Sequence, residues 1–307
     1  MNLKTKLYRQ KEKYKRYLNR RKYGHCTVLL YHRVIDQDYD PQMLCVGVSK
    51  FRDQLESLKK KNVFLSIDEF SGILQSGKKF PKNSLLVSFD DGYADNYHNA
   101  VPVLESLNIP AVFYISSAGI NTPNLMWWDE LDLVFKNRSG VKEKELYGQY
   151  LMNCKTASSL EERDILMNEV RYTAKLNDSE KSEYRMLTND ELKKMAASKI
   201  VTIGGHTVNH LSLGHLSHAD QKAEIENSVR KLEELTGKKI KHFSYPYGEK
   251  VNYNEETISI CKQIGLTSSA ANYEGYVSKG VDLFSYPRFV VRNDSSEVLT
   301  KKLQAIL

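Results

Sequence analysis

The sequence predicts an α/β protein built as a barrel of about seven or eight parallel strands, and three observations carry this. Short apolar runs alternate with helical stretches over most of the 307 residues, the pattern of parallel strands joined by right-handed crossovers. Residues able to do chemistry, namely His32, Asp90, Asp91, His206 and Tyr247, fall at or just beyond the ends of those runs, where barrels place their active sites. A charged, mostly helical stretch at 121–190 interrupts the alternation once. It reads as an insertion between barrel strands rather than an independent domain.

Each element has a local reason. Val28-Leu29-Leu30-Tyr31 is a buried strand ending at His32-Arg33. Ser49 can cap a helix that carries Phe51, Leu55 and Leu58 on one face. Val63-Phe64-Leu65 is a short strand, and Ser66 with Glu69 makes a capping box for the next helix. Leu85–Phe89 is a strand, followed by a helix around Asn96–Leu107 with Pro102 near its start and a strand at Ala111–Ile115. Trp127-Trp128-Asp129-Glu130 opens the insertion. The rhythm returns with a strand at Ile200–Gly204 and a helix from Ser217 to Thr236 that Gly237 stops. A strand at His242–Tyr245, a helix from about Glu255 to Ile264, and strands near Leu266–Ala271 and Phe284–Val291 complete the series.

Composition is globular, with 41% hydrophobic and 27% charged residues, and no apolar run approaches the roughly 20 residues a membrane span needs. Residues 1–23 carry ten Lys or Arg against one Glu, a balance of +9 within a total of +7, so residues 24–307 sum to −2. Basicity therefore belongs to a tail and not to the body, which argues against nucleic acid as a partner. Leu3, Leu7, Tyr14 and Leu18 sit near helical spacing in that tail. An amphipathic helix on an anionic membrane surface would look like this; a basic helix packed on the body is slightly favoured. The tail lacks the apolar stretch of a secretory signal. Cys26, Cys45, Cys154 and Cys261 have neither metal-ligand nor disulfide-framework spacing, so the expected setting is the cytoplasm, with peripheral contact at the inner membrane face through the tail.

Ser88-Phe89-Asp90-Asp91-Gly92 puts two carboxylates at the tip of a buried strand, which is costly without a compensating cation. Neighbouring strand residues face opposite ways, so both acids reach one site only if the chain bends, and Gly92 can supply the bend. One carboxylate can then hold a metal while the other stays free as a base. His206-Thr207-Val208-Asn209-His210 follows a strand and two glycines. Two His four residues apart meet on one side of a helical turn and can share an ion. Two His and one carboxylate leave coordination positions open, which suits a catalytic metal. His215 and His218 could compete, but their place at the start of the Ser217 helix suits solvated or capping roles. Phe243-Ser244-Tyr245-Pro246-Tyr247-Gly248 is an aromatic turn able to wall a sugar-sized groove.

Together these stretches resemble the polysaccharide deacetylases with the NodB homology domain, carbohydrate esterase family 4. Ser88–Gly92 matches the family's T/S-F-D-D-G, His206–His210 its H-S/T-x-x-H, and Ser244–Gly248 its R-x-P-Y-G turn, in the family's order. The resemblance covers about residues 26–120 and 195–292. It implies a deformed (β/α) barrel of about seven strands and a divalent metal, usually zinc, on Asp91, His206 and His210, with Asp90 as general base. It also implies the substrate class, N-acetylated amino-sugar polymers or their precursors. Two departures stand out: Ser244 replaces the Arg that opens the turn, and no His follows His242 to supply the late L-x-H acid. The YHRV at Tyr31–Val34 and the YPYG turn resemble the poly-N-acetylglucosamine deacetylase branch, where the acid His lies near the N-terminus.

The expected chemistry is metal-dependent hydrolysis of an acetamide with release of acetate. Asp90 serves as base, His32 as general acid at the tip of the first strand, and Arg288 as replacement for the missing Arg. The Tyr247 backbone N–H, left free by the Pro246 turn, serves the oxyanion, and Trp128 the substrate wall. Alternatives are O-acetyl ester hydrolysis by the same site, or a catalytically weak glycan-binding pseudoenzyme, motivated by the missing Arg and late His.

Overall fold

A computed structural model describes residues 18–138, 140–173, 176 and 181–306. Its strands are β1 (Cys26–Tyr31), β2 (Arg33–Val34), β3 (Cys45–Val46), β4 (Val63–Phe64), β5 (Ser84–Phe89), β6 (Ala111–Ile115), β7 (Val201–Gly205), β8 (His242–Ser244), β9 (Ser268–Ala270) and β10 (Phe289–Val290). Among the described residues the helices are α1 (Val48–Lys59), α2 (Ile67–Ser76), α3 (Val101–Leu107), α4 (Trp127–Phe135), α5 (Val141–Thr156), α6 (Leu160–Thr173), α7 (Asn189–Ala197), α8 (His218–Thr236), α9 (Glu255–Gln263) and α10 (Ser296–Ala305).

Seven strands run in the order β10-β1-β5-β6-β7-β8-β9, and β4 adds to the edge of β5; β2 and β3 pair separately. Every pairing in the main sheet is parallel. The segment before β10 bends the sheet into a deformed (β/α) barrel. Tyr286 bridges Ala270 of β9, while Phe289 and Val290 pair with Leu29 and Leu30 of β1. One short stretch thus touches both edges, and Arg288 lies between its two contacts. The expected strands at Leu266–Ala271 and Phe284–Val291 shorten to β9 and β10 because this closing stretch changes partner midway.

Strand period 2 sorts side chains into two cores. Leu29, Tyr31, Val87, Phe89, Phe113 and Ile203 pack with the crossover helices, and Phe89 stacks on Phe113 at 4.6 Å. The other face collects Val28, Leu86, Val112, Tyr114, Ala270 and Tyr286 in the barrel interior, where Ile67 and Phe70 of α2 join them. Residues one step further along that inner face reach the C-terminal mouth, among them Asp90, His206 and His32.

Local signals held in part. Ser66 and Glu69 form the expected capping box, and Gly77 ends α2 with φ 63°. Helix α8 starts at the Ser217 cap and stops at Gly237 with φ 66°. Ser49, however, is not a cap: α1 begins two residues earlier than that cap would set, at Val48 after Gly47. Its first amides are satisfied from outside, Gly47 N–H by Asn293 Oδ1 at 3.1 Å and Val48 N–H by Asp36 Oδ2 at 3.4 Å. The single helix expected at Asn96–Leu107 is a π-helical turn at Asn96–Ala100 leading into α3. Pro102 has no N–H for an ordinary helical bond, and the wider turn accommodates the loss.

Between β6 and α7 the described residues form α4, α5 and α6. They have their own apolar cluster of Trp127, Trp128, Leu131, Phe135, Cys154, Met167 and Val170, joined by Tyr93 from the barrel. Of the tail, Leu3, Leu7 and Tyr14 lie outside the described residues. Residues 18–23 are helical, and Asn19 Nδ2 donates to the Lys279 carbonyl at 2.8 Å. The Arg20 guanidinium sits 5.6 Å over the Tyr276 ring. All four cysteines are buried and free.

Candidate functional site

Strand β5 is buried along its whole length and delivers Asp90 and Asp91 to the barrel mouth. The bend that brings both acids to one place is at Asp91 itself, with φ 77°, as well as at Gly92, with φ 95°. A left-handed non-glycine residue is strained and is tolerated where the surroundings hold it. Here the Asp91 carbonyl accepts from Ser116 N–H at 3.1 Å. A Cβ at position 92 would come within 2.8 Å of Ile115 Cγ2, so glycine is also required by space.

Asp91, His206 and His210 are all buried, and one ligand atom from each lies within 4.8 Å of the others. His206 Nε2 is 3.6 Å and His210 Nε2 is 3.4 Å from Asp91 Oδ1. The two histidines are not on a helical turn, contrary to the expectation from their spacing. Residues 206–210 are a bent loop with left-handed backbone at Thr207 (φ 63°) and His210 (φ 54°). Glu224 of α8 holds the loop, accepting from Val208 N–H at 3.0 Å and Asn209 N–H at 2.8 Å. Thr207 Oγ1 accepts from His210 N–H at 2.9 Å. A tertiary carboxylate thus does what a helix ladder would have done. His215 and His218 are exposed and take no part.

The donor set fits a divalent cation. His206 Nδ1 lies 2.7 Å from the Ser244 carbonyl, an arrangement in which Nδ1–H donates and the Nε2 lone pair is left for a metal. His210 Nδ1 is buried with no hydrogen-bond partner among the described residues, while its Nε2 faces Asp91. Burial alone would raise the Asp91 carboxyl, but hydrogen bonds and charge from His206 and His210 hold it well below the usual range. Burial lowers His210 to about 4, so it stands as a neutral ligand at pH 7. His206 is raised: burial works against its charge, and Asp90 and Asp91 outweigh burial.

Asp90 has different surroundings. Arg288 Nη1 donates to its Oδ1 and Arg288 Nη2 to its Oδ2, both at 2.7 Å. Ser244 Oγ donates to Oδ2 at 3.1 Å and accepts from Arg288 Nη2 at 2.8 Å. Arg288 is in turn fixed by the Ala271 carbonyl at 2.9 Å. Burial pushes the Asp90 carboxyl up, and Arg288 and His206 bring it below its ordinary value. Arg288, chosen from sequence to replace the missing Arg, does reach Asp90, and Ser244 joins the same contact rather than leaving a gap.

His32 is half-buried and lines the cleft with Asp90, Asp91, His206 and His210. Burial lowers its pKa, opposed by Asp91 and Asp90. The Tyr247 ring packs edge-on to His210 at 4.8 Å, with φ 60° at Tyr247. Its backbone N–H has no partner among the described residues. Trp128 presents its edge to His210 at 4.6 Å.

Sequence reasoning missed the support behind Trp128. Trp128 Nε1–H donates to Tyr93 Oη at 2.8 Å, and Tyr93 Oη–H donates to Asp129 Oδ2 at 2.7 Å. The Arg33 guanidinium lies 4.5 Å over the Tyr93 ring. The signal was present: Tyr93 follows the Asp-Asp-Gly directly, and Asp129 follows two tryptophans in α4. Nothing local says that the two would meet. Gln42, Lys155 and Arg292 also line the cleft without having been singled out.

Comparison with known proteins agrees with this geometry. The polysaccharide deacetylase profile matches residues 77–269. The chain is 26% identical over 258 residues to a poly-beta-1,6-N-acetyl-D-glucosamine N-deacetylase of Staphylococcus aureus, covering 84% of this chain and 71% of that protein. Its fold is similar to the Streptococcus pyogenes deacetylase PplD (TM-score 0.63, 20% identity, 92% of this chain and 98% of that one). It is also similar to IcaB from Ammonifex degensii (TM-score 0.62, 19% identity, 91% of this chain and 97% of that one). The profile spans more than half of the chain, including both aspartates, both metal-site histidines and the Tyr247 turn: the chain belongs to the polysaccharide deacetylase family.

Proposed function

We infer that this chain hydrolyses the N-acetyl groups of amino sugars in a polysaccharide or glycan precursor, releasing acetate. The observation that carries it is the pairing, at one barrel mouth, of a buried Asp-His-His set with a second carboxylate gripped by Arg288. A divalent cation, zinc on the resemblance to the family, would be held by Asp91, His206 and His210. When bound, such an ion polarises the acetyl carbonyl and lowers the pKa of water.

Asp90 takes the proton of the attacking water. Arg288 and Ser244 keep its carboxylate ionised and aimed, since both its oxygens are engaged. The Tyr247 N–H donates to the oxygen that becomes negative in the tetrahedral species. His32 gives a proton to the nitrogen, because an amine expelled without one is a poor leaving group. Trp128 and Tyr247 wall the acetyl side. The poly-N-acetylglucosamine relative supports an N-acetylated glycan as substrate. No observation favours ester hydrolysis, and the paired Asp90 and Arg288 remove the main motive for a pseudoenzyme. Action at the cytoplasmic face, with peripheral membrane contact, is supported by the basic residues 1–23 and the four free thiols.

The test is acetate release, followed by mass spectrometry, from N-acetylglucosamine oligosaccharides. Release with zinc, lost with chelator and lost in Asp90→Asn, is expected; zinc-loaded wild type that releases none overturns the reading.

A further inference from the structure

Two cations line the cleft without an ion pair among the described residues, although Lys155 acts at longer range on the Asp132 carboxylate. The cleft, of about 270 Å³, holds the Asp-His-His set at its floor, and Lys155 and Arg292 line its walls. They come from different elements: Lys155 from the last turn of α5 in the insertion, Arg292 from the chain leaving β10. Arg292 is pre-positioned, since its Nη1 donates to the backbone carbonyls of Gln42 (3.4 Å) and Met43. Its Nε and Nη2 have no partner among the described residues. Lys155 Nζ lies 5.6 Å over the Tyr247 ring, the ring that packs on His210. Neither cation forms an ion pair among the described residues. Of the acids facing the cleft, Asp90 is committed to Arg288 and Asp91 to the histidines. Glu249 stands on the exposed rim, and Asp132 accepts from Tyr147 and Gln42 beneath it.

An arginine anchored by neutral carbonyls keeps its full charge while its orientation is already fixed, which is how an oxyanion is gripped at little entropic cost. A second cation held over an aromatic face beside the first adds to the positive field that an oxyanion would meet on that wall. We propose that Arg292 and Lys155 form a subsite for an oxyanion carried by the glycan, a phosphate ester or a uronate carboxylate, on a sugar next to the N-acetylated one. The chain would then be specific for an anionic glycan. This rests on the deacetylase reading and adds the charge of the substrate to it.

The experiment uses the full zinc-loaded chain in an Asp90→Asn background, so that turnover does not interfere with calorimetric binding. Three probes are compared: a neutral N-acetylglucosamine trisaccharide, the same trisaccharide with one 6-phosphate, and the same with one sugar replaced by glucuronate. At least one charged probe should bind about tenfold more tightly than the neutral one, the scale of a single charge-assisted contact at a solvated rim. The margin should shrink with added salt. Arg292→Gln and, separately, Lys155→Gln should bring the charged-to-neutral ratio towards one. Lys155 sits on a helix surface, so its variant reports even if Arg292→Gln folds poorly. A preference for one charged probe alone identifies phosphate or carboxylate as the source. Equal binding of all three, no binding of either charged probe, or a ratio untouched by both substitutions overturns the subsite. Wild-type acetate release with no charge preference sinks this inference alone, whereas preference without release sinks the deacetylase reading alone.

Discussion

Asp90 and Asp91 are neighbours in sequence, and their different partners divide the labour. Among the described residues the Asp91 carboxylate pairs with His206 and His210, whereas Asp90 is gripped by a guanidinium fork and a hydroxyl, with His206 at 3.8 Å. His206→Ala or His210→Ala should therefore abolish stoichiometric zinc binding, read by metal analysis after dialysis; full occupancy in either variant would dissolve the set. Asp90→Asn should keep the metal and lose about 10²–10⁴-fold in kcat, the usual share of a general base. Metal loss in that variant would reverse the two roles. Arg288 and Asp90 are both buried, so Arg288→Ala leaves a carboxylate uncompensated. A cost of about 3–5 kcal/mol in denaturant unfolding is expected. His32→Ala should depress kcat on acetamides far more than on aryl acetates, whose leaving groups depart unaided; equal losses would return His32 to a packing role.

At the scale of elements, helices α4 and α5 form part of the site's wall. Helix α4 places Trp128 against His210, and the Trp128–Tyr93–Asp129 chain ties that helix to the turn bearing Asp91. Burial raises the Asp129 carboxyl to about 8, despite Arg33 and Tyr93. An unfolded Asp titrates near ~3.9, so over roughly pH 4–8 the folded chain keeps a proton the unfolded chain has lost. The stability from this group is present at the acid end and lost as pH rises through about 8. In chelator-treated protein, the fall in Tm between pH 5 and 8 should be smaller in Asp129→Asn than in wild type; identical slopes would show Asp129 ionised throughout. Residue types and order made the strand and helix sequence legible, because period 2 and capping boxes are local. The His206–His210 loop was legible as a ligand pair but not in shape. Its bends depend on Glu224, which arrives from a helix one element later.

For the whole molecule, the decisive event is closure of the sheet by the stretch from Tyr286 to Val290. That closure carries Arg288, distant by 198 positions, onto Asp90. At the other end of the chain, removing residues 1–22 should leave acetate release from soluble oligosaccharides within about twofold and weaken binding to anionic vesicles. Unchanged vesicle binding would confine the basic segment to packing and solubility.

By itself the sequence determined the alternation of strands and helices, the placing of chemistry at strand tips, and the residue types that can hold a cation. These follow from short-range periodicity and from the cost of burying charge, both of which act along the chain. Only the tertiary structure decided which acid is paired with arginine, which cations line the cleft, and what holds Trp128. Those depend on side chains that approach across a closed barrel, where loop closure and the path of the insertion set the partners and no local pattern records them.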